Sequence, residues 1–573
     1  MHDHDPSVQI CIGGEAGQGL VTIGHLLSKA LVRDGYWILV SQSYMSRIRG
    51  GHNTFSIRVG TEPVLSPRED CDVLVALNQD TIEQDGPALT TGGCLVGDTE
   101  LDFGELPHLA VPTSDLASKP LYANTAALGV VGGLLGVRPQ TLEALLREQF
   151  AKKKEEVITS NLEVLEAALS WVEENRGDFP PLPAAQPPES SLMLNGSEAV
   201  ALGALAGGVR FCSFYPMTPA TGVALNLIAQ AEAMGVVTEQ AEDEIAAVNM
   251  ALGASYAGAR VLVPTSGGGY ALMTEGVSLA GMHELPLVLV VAQRPGPATG
   301  LPTQTEQGDL EFVLFGGHGE FPRAVFAPGD IPECFHLTRK SMGLAERWQS
   351  PVFVLSDQYL ADAWQTVSAP ELEYEADPPS DSACAQLAAD SYERYAVTES
   401  GVSPRCLPGQ SEALVVNDSD EHTPDGHITE DHAVRVAMVD KRLRKREGLE
   451  QEVTPPTYTG DPLESGMLLI CWGSSKGPVL EAATLLRQAG QRVGVLHFSQ
   501  VWPLVPETFP VDPAKAQAVV VVEGNATGQF AALLRREMGI EVSGKVLRYD
   551  GLPLTAAFIW NQLAEAGMIE SGA

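Results

Sequence analysis

Basic residues are scarce in this chain. Its 573 residues carry 36 Lys and Arg against 73 Asp and Glu, a formal charge of −37. Binding to a phosphate backbone draws on clustered Lys and Arg, so neither nucleic acid nor an anionic membrane is an expected partner. Charge of this sign favours solubility, with docking of a cationic partner as its other use. Long apolar runs are missing too. No stretch approaches the roughly 18 apolar residues of a membrane-spanning helix, and MHDHDPSVQICIGG lacks the basic-then-apolar order of a signal peptide. The eight cysteines include no C-x-x-C pair. That spacing argues against a zinc site or an iron–sulfur cluster ligated by this chain alone, and it fits a reducing, cytoplasmic compartment. The triplet G-D-G is also absent.

What is present is ordinary for a folded protein: 44% hydrophobic and 19% charged residues. The length suggests about three or four domains. Residues 1–178 alternate short apolar runs with helical patterns, and a helix is predicted over Glu155–Glu174 from 3.6-residue spacing. Residues 179–190 are Pro-rich and read as a linker. In 191–365 the runs Val236–Thr238, Val261–Pro264, Leu287–Ala292 and Val352–Leu355 predict buried strands of a parallel sheet. Residues 366–460 are acidic and weakly periodic, interrupted by a basic helix at Lys441–Arg446, and read as a connecting arm. Residues 461–573 form a smaller α/β unit. The fold class is α/β and multi-domain.

Five motifs carry chemistry. The first is a glycine turn after the opening strand, with Gly14, Gly17 and Gly19. Free backbone N–H groups at such a helix start suit an anion, and a tight turn alone accounts for the glycines equally well. The spacing is not the dinucleotide fingerprint G-x-G-x-x-G. The second is Ser46–Asn53, where Arg47 and Arg49 precede paired glycines, a phosphate-binding fork or a solvated loop. The third is Tyr215–Gly222, in which Pro216 and Pro219 stiffen a loop carrying Thr218. The fourth is a helix start crowded by Glu239, Glu242, Asp243 and Glu244, followed by small apolar residues. The macrodipole explains the crowding, and a partly buried carboxylate there has catalytic use. In the fifth, Arg294 leaves the apolar strand Leu287–Ala292 into a Pro/Gly loop, placed to clamp a carboxylate beyond a strand end.

Taken together, YPMTPATG at 215–222, EQAEDEIAAVNMALGASYAGAR at 239–260, TSGGGYALMTE at 265–275, QRPGPATGLPTQTEQGDL at 293–310 and GGHGEFPR at 316–323 resemble one family. It is that of the 2-oxoacid:ferredoxin oxidoreductase α subunits, in the form with a γ domain fused ahead. EAGQG and SRIRGGHN resemble the γ domain. Where the family reads TSGPGF, this chain has Gly268 and Tyr270. The resemblance implies a γ domain associated with coenzyme A at 1–178, a doubly wound thiamine-diphosphate pyrimidine-binding domain at 191–365, and a transketolase-C-terminal-like domain at 461–573. It further implies a partner β subunit bearing the G-D-G motif, Mg²⁺ and the [4Fe–4S] cluster, an α2β2 assembly, and ferredoxin as electron acceptor.

The implied reaction is CoA-dependent oxidative decarboxylation of a 2-oxoacid. Glu244 matches the aminopyrimidine-contacting glutamate, with Glu242 as its rival, and Thr218 and Arg294 match the substrate-carboxylate contacts, with Tyr215 beside them. Gly14, Gly17, Gly19, Arg47 and Arg49 are the coenzyme A candidates. The wording of 298–310 and 316–323 resembles the 2-oxoglutarate enzymes, with pyruvate or a broad range of 2-oxoacids as the alternative. Arg323, His318 and Tyr270 are candidates for a distal carboxylate. A non-enzymatic acidic scaffold is the rival class, and it has no need of Glu244 together with Arg294.

Overall fold

The computed structural model describes residues 7–45, 51–117, 119–186, 190–375, 392–410, 412–464 and 466–570. The chain forms two compact units: Met1–Asn195 with Asp362–Glu371 and Thr555–Ala557, and Gly196–Ala361 with Leu372–Leu554 and Phe558–Ala573.

The first unit is built on an eight-stranded mixed sheet. Val8–Glu15 runs through its middle, parallel to Cys71–Ala76 and antiparallel to His52–Gly60. Beyond Cys71–Ala76 the parallel run continues through Leu89–Asp98 and His108–Val111. On the other side Trp37–Ser43, Trp364–Ser368 and Ser191–Asn195 pair antiparallel in turn. Helix Leu20–Arg33 lays Ile23, Leu27 and Leu31 onto the sheet at four-residue spacing. The predicted helix near the end of 1–178 forms as Glu155–Asn175.

The boundaries of this unit differ from those read in the sequence. The Pro-rich stretch does not stand apart. The Leu182 N–H donates to the Leu135 carbonyl at 2.9 Å and Tyr36 Oη to the Pro183 carbonyl at 2.9 Å. Ser191–Asn195 and Trp364–Ser368 belong to this sheet, although they are distant in sequence from its other strands. Short edge strands carry little periodicity of their own, because pairing with a distant neighbour decides them.

The second unit holds two sheets. In the seven-stranded sheet the order is Gln500–Trp502, Ala324–Phe326, Pro351–Asp357, Leu287–Gln293, Val261–Thr265, Phe211–Phe214, Val237–Gln240. All its pairings are parallel except that of Gln500–Trp502 with Ala324–Phe326. Val261–Thr265, Leu287–Gln293 and Pro351–Asp357 are buried at every position, as expected of strands covered on both faces. The five-stranded sheet joins Val493–Phe498, Met467–Trp472, Ala518–Glu523 and Gly544–Leu547 in parallel, with Thr457–Gly460 antiparallel at one edge. Among the described residues no helix is long and apolar enough to cross a membrane. Cys11, Cys71, Cys94, Cys212, Cys334 and Cys471 are free thiols, and Cys406 is disulfide-bonded.

The basic stretch at 441–446 lies inside a longer helix, His432–Gln451, and is not a solvated face. Lys441 and Lys445 are buried, and both ammonium groups contact the buried Glu284 carboxylate. Lys441 Nζ reaches Glu284 Oε1 at 2.6 Å and Oε2 at 2.8 Å. The Arg394 guanidinium donates to the Glu284 carbonyl at 2.8 Å. Glu284 ends helix Gly267–His283 at φ 50°, in the left-handed region. Burial alone would raise its pKa. Lys445, Lys441 and Arg394 outweigh that and pull it down to about 2.

Glu284→Ala leaves buried cations without their anion and is expected to destabilise the second unit by about 3–5 kcal/mol. Adding Lys445→Met should recover part of that loss in thermal unfolding, and a double variant no better than the single one refutes the pairing. The carboxylate's contribution is whole above its unfolded pKa of about 4.3 and drains away as pH falls toward 2.

Candidate active site

Four neighbouring parallel strands of the second unit end on one edge, in the spatial order Val237–Gln240, Phe211–Phe214, Val261–Thr265, Leu287–Gln293. Each is followed by one of the motifs, so residues from 215 to 309 converge where open α/β sheets take their ligands. Three helix N-termini open on the same edge, those of Thr221–Met234, Glu244–Tyr256 and Gly267–His283.

The acidic run separates by burial. Glu239 and Glu242 are exposed, and Asp243 is the helix N-cap, its carboxylate accepting the Ala246 N–H at 2.7 Å. Glu244, the first helical residue, is 4% exposed. Its carboxylate makes no hydrogen bond or ion pair with a described residue, and neither oxygen is among the partnerless atoms sealed from solvent, so the carboxylate of this otherwise buried residue stays open to a ligand. It lies against Gly269. A Cβ at 269 would stand 2.9 Å from Glu244 Oε1 and 2.2 Å from Thr265 Oγ1.

Arg294 and Thr218 come together, the guanidinium Nη1 donating to the Thr218 carbonyl at 2.7 Å. Arg294 is half-buried and makes no ion pair with any described residue. Burial lowers its pKa, and Asp309 opposes that shift. Tyr215, on the same loop as Thr218, is 38% exposed. The Pro/Gly loop that follows Arg294 is held at its far end by Gln307, which is buried. Gln307 Oε1 accepts the Gly524 N–H at 2.8 Å and the Gln307 N–H donates to the Gly524 carbonyl at 2.6 Å, while Nε2 donates to the Trp472 carbonyl at 3.0 Å. Gln307 and Asp309 stand in the TEQGDL stretch. Nothing in its spacing distinguishes them from loop residues, and Gln307's partners lie more than 160 positions away.

The two departures in the 265–270 loop have different outcomes. Gly268 is open, a Cβ there meeting only the Ala298 carbonyl at 3.8 Å. Tyr270 is fully buried, edge-on to Phe312 and Phe353. Arg323 is buried as well, and its Nη1 donates to the Val313 and Gly316 carbonyls at 2.8 Å each. Both lie inside the core, where the Tyr270 hydroxyl is sealed from solvent without a hydrogen-bond partner, and His318 is exposed.

In the first unit the glycine turn is tighter than its sequence suggests. Gly14 is part of the opening strand, opposite Asn53. Gly17 and Gly19, at φ 98° and 89°, make the turn itself. Gln18 ties it down, Oε1 accepting the Glu15 N–H at 2.7 Å. Gly17 faces open space, whereas a Cβ at 19 would strike the Asn124 side chain at 1.9 Å. Asn124 had no signal in the sequence. Arg47 and Arg49 lie outside the described residues.

These features define an α/β enzyme fold with a ligand site at parallel strand ends. The family model described as "Pyruvate flavodoxin/ferredoxin oxidoreductase, thiamine diP-bdg" matches residues 202–441, and "Pyruvate ferredoxin/flavodoxin oxidoreductase" matches 9–171. The chain is 31% identical to the 2-oxoacid:ferredoxin oxidoreductase subunit alpha of a Sulfolobus species, over 97% of this chain and 95% of that one. It is 30% identical to the 2-oxoglutarate oxidoreductase subunit KorA of Mycobacterium tuberculosis, over 96% and 90%. A solved structure of the 2-oxoglutarate:ferredoxin oxidoreductase from Magnetococcus marinus, with 2-oxoglutarate, coenzyme A and succinyl-CoA bound, matches at TM-score 0.90 and 31% identity, covering 98% of this chain and 100% of that one. The chain belongs to the 2-oxoacid:ferredoxin oxidoreductase family as an α subunit.

A Cβ at position 269 would meet Thr265 Oγ1 first and Glu244 Oε1 next, so Gly269→Ala should shift both side chains. A misplacement of this size costs about 100-fold in turnover. Unchanged turnover with unchanged thermal stability would show that Glu244 does not depend on this contact.

Proposed function

We propose that this chain supplies the pyrimidine-binding half of a thiamine-diphosphate site in a 2-oxoglutarate:ferredoxin oxidoreductase. The reaction converts 2-oxoglutarate and coenzyme A to succinyl-CoA and carbon dioxide and passes two electrons to ferredoxin. The observation that carries this reading is the Glu244 carboxylate, unpartnered and open on an otherwise buried residue, which shares one strand edge with Arg294. An orphaned acid next to a glycine fits a flat heterocycle bearing a ring nitrogen. The cofactor, when bound, supplies the electron sink that decarboxylation requires.

This chain's residues do the rest of the positioning. Glu244 holds a proton at the aminopyrimidine ring nitrogen. Arg294, with one donor already fixed on the Thr218 carbonyl, presents its remaining N–H groups to the substrate C1 carboxylate as a charge-assisted fork. Thr218 sets the position of that fork, and Tyr215 borders the same opening. In the first unit Gly14, Gly17 and Gly19, with Arg47 and Arg49, receive coenzyme A phosphates at the helix start. The chain lacks G-D-G and C-x-x-C. A β subunit therefore brings the Mg²⁺–diphosphate motif and the [4Fe–4S] cluster, in an α2β2 assembly. Residues 191–365, apart from the strands Ser191–Asn195 and Trp364–Ser368 that pair in the first unit's sheet, serve as the pyrimidine-binding domain and 461–573 as the transketolase-C-terminal-like domain, with 366–460 connecting them except that Thr457–Gly460 pairs in the five-stranded sheet. The substrate assignment draws on the relatives named for 2-oxoglutarate. Arg323 and Tyr270 lie inside the core, which leaves His318 or the β subunit for the distal carboxylate contact.

Glu244→Gln in the assembled enzyme should keep the fold and lower turnover by about 10²- to 10⁴-fold. Near-normal turnover moves the role to Glu242. Arg294→Lys keeps the charge and loses the planar fork. In steady-state assays it should weaken the apparent affinity for pyruvate and for 2-oxoglutarate alike, because both carry the C1 carboxylate. Weakening confined to 2-oxoglutarate would make Arg294 the distal contact instead.

A further inference from the structure

Arg294 has an acidic neighbour that the proposed chemistry does not use. Asp309 closes the loop that begins at Arg294. Its backbone N–H donates to Gln293 Oε1 at 2.9 Å, and the fully buried Gln293 is itself anchored by its Nε2 on the Ser356 carbonyl at 3.1 Å. The Asp309 carboxyl packs on the first residue of helix Gly267–His283, Oδ2 standing 2.3 Å from where a Gly267 Cβ would be. That oxygen is sealed from solvent and has no hydrogen-bond partner. Gln307 fixes the same loop two residues earlier. The carboxyl is thus held within electrostatic reach of the guanidinium yet outside ion-pair distance.

The charged groups around it are few. Arg294 acts on it from the strand end and Glu306 from its own loop. The first turn of helix Gly267–His283 adds only Tyr270, which is buried in the core. Burial, and then the like charge of Glu306, push the Asp309 carboxyl up to about 6 against the pull of Arg294. The group therefore changes charge near neutral pH.

We infer that Asp309 is a positioning residue for the substrate carboxylate: uncharged, it leaves the Arg294 charge to an incoming 2-oxoacid, and ionised, it competes for that charge, so that 2-oxoacid binding is accompanied by proton uptake at this residue. The inference rests on Arg294 as the carboxylate site. Binding and protonation are then reciprocally linked. Each unit by which the bound carboxylate raises the Asp309 pKa corresponds to about a tenfold gain in affinity.

The test is calorimetric titration of the assembled holoenzyme with oxalate, a carboxylate that does not turn over, at about pH 6.5 in buffers of different ionisation heat. The native enzyme should take up a fraction of a proton per oxalate. Asp309→Asn and Asp309→Ser, two uncharged replacements of different shape, should abolish that uptake. Both should also bind oxalate at pH 8 about tenfold more tightly than the native enzyme. Uptake that persists in both Asp309 variants, or oxalate binding by the native enzyme with no proton uptake, overturns the role of Asp309 while leaving Arg294 in place. Failure of the native enzyme to bind oxalate at all removes the carboxylate site itself, and the inference with it.

Discussion

Parallel pairing of the strands in the second unit is the constraint on which the site depends. A parallel neighbour is reached only through a crossover, so every strand delivers its successor loop to the same edge. Val237–Gln240, Phe211–Phe214, Val261–Thr265 and Leu287–Gln293 lie side by side. Their four following loops therefore converge without any long-range instruction in the loops themselves. The guanidinium of Arg294 arrives from the wholly buried strand Leu287–Gln293, and the carboxylate of Glu244 follows Val237–Gln240, which reads in the sequence as a buried strand at Val236–Thr238 and is a mostly exposed edge strand.

Convergence alone would leave the loops free to move. Buried polar pins limit that freedom. Gln307 exchanges two backbone-like hydrogen bonds with Gly524, and so fastens the loop after Arg294 to the end of a strand in the five-stranded sheet. Glu284, at the opposite end of helix Gly267–His283 from the site, is gripped by Lys441 and Lys445. The same helix thus begins at the Glu244 pocket and ends in an ion cluster. Desolvated charges hold a unique geometry only when every partner is present, which makes both ends of that helix sensitive to single substitutions.

Much of this is legible in the order of the residues alone. The apolar runs at 261–264, 287–292 and 352–355 announce buried strands, because complete burial demands an unbroken apolar series. The motifs at 215–222 and 294–300 announce themselves through proline and glycine. The distinction between Glu242 and Glu244 is not legible, since two acids two residues apart differ only in which way the helix start turns them. Lys441 and Lys445 look like a solvated basic face until Glu284, more than 150 positions earlier, is brought beneath them. Ser191–Asn195 and Trp364–Ser368 are too short to show alternation, and only their pairing with Trp37–Ser43 and with each other makes them strands. The tyrosine at 270 looks available to a ligand, yet its ring is edge-on to two phenylalanines in the core.

The two late strands of the first sheet bear on how the chain can be divided. Ser191–Asn195 sits at the sheet's rim and Trp364–Ser368 bridges it to the strands that come before residue 178. Trp364 stacks edge-on against His25. A fragment starting after the Pro-rich stretch would keep both strands and lose everything they lean on. It would present unpaired backbone and an uncovered tryptophan to solvent, the kind of edge on which chains add to one another as fibres or precipitates. A fragment ending at 186 would in turn leave Trp37–Ser43 as a raw rim. Dissection of this polypeptide into separately expressed pieces therefore has no clean seam in that stretch, whatever its composition suggests.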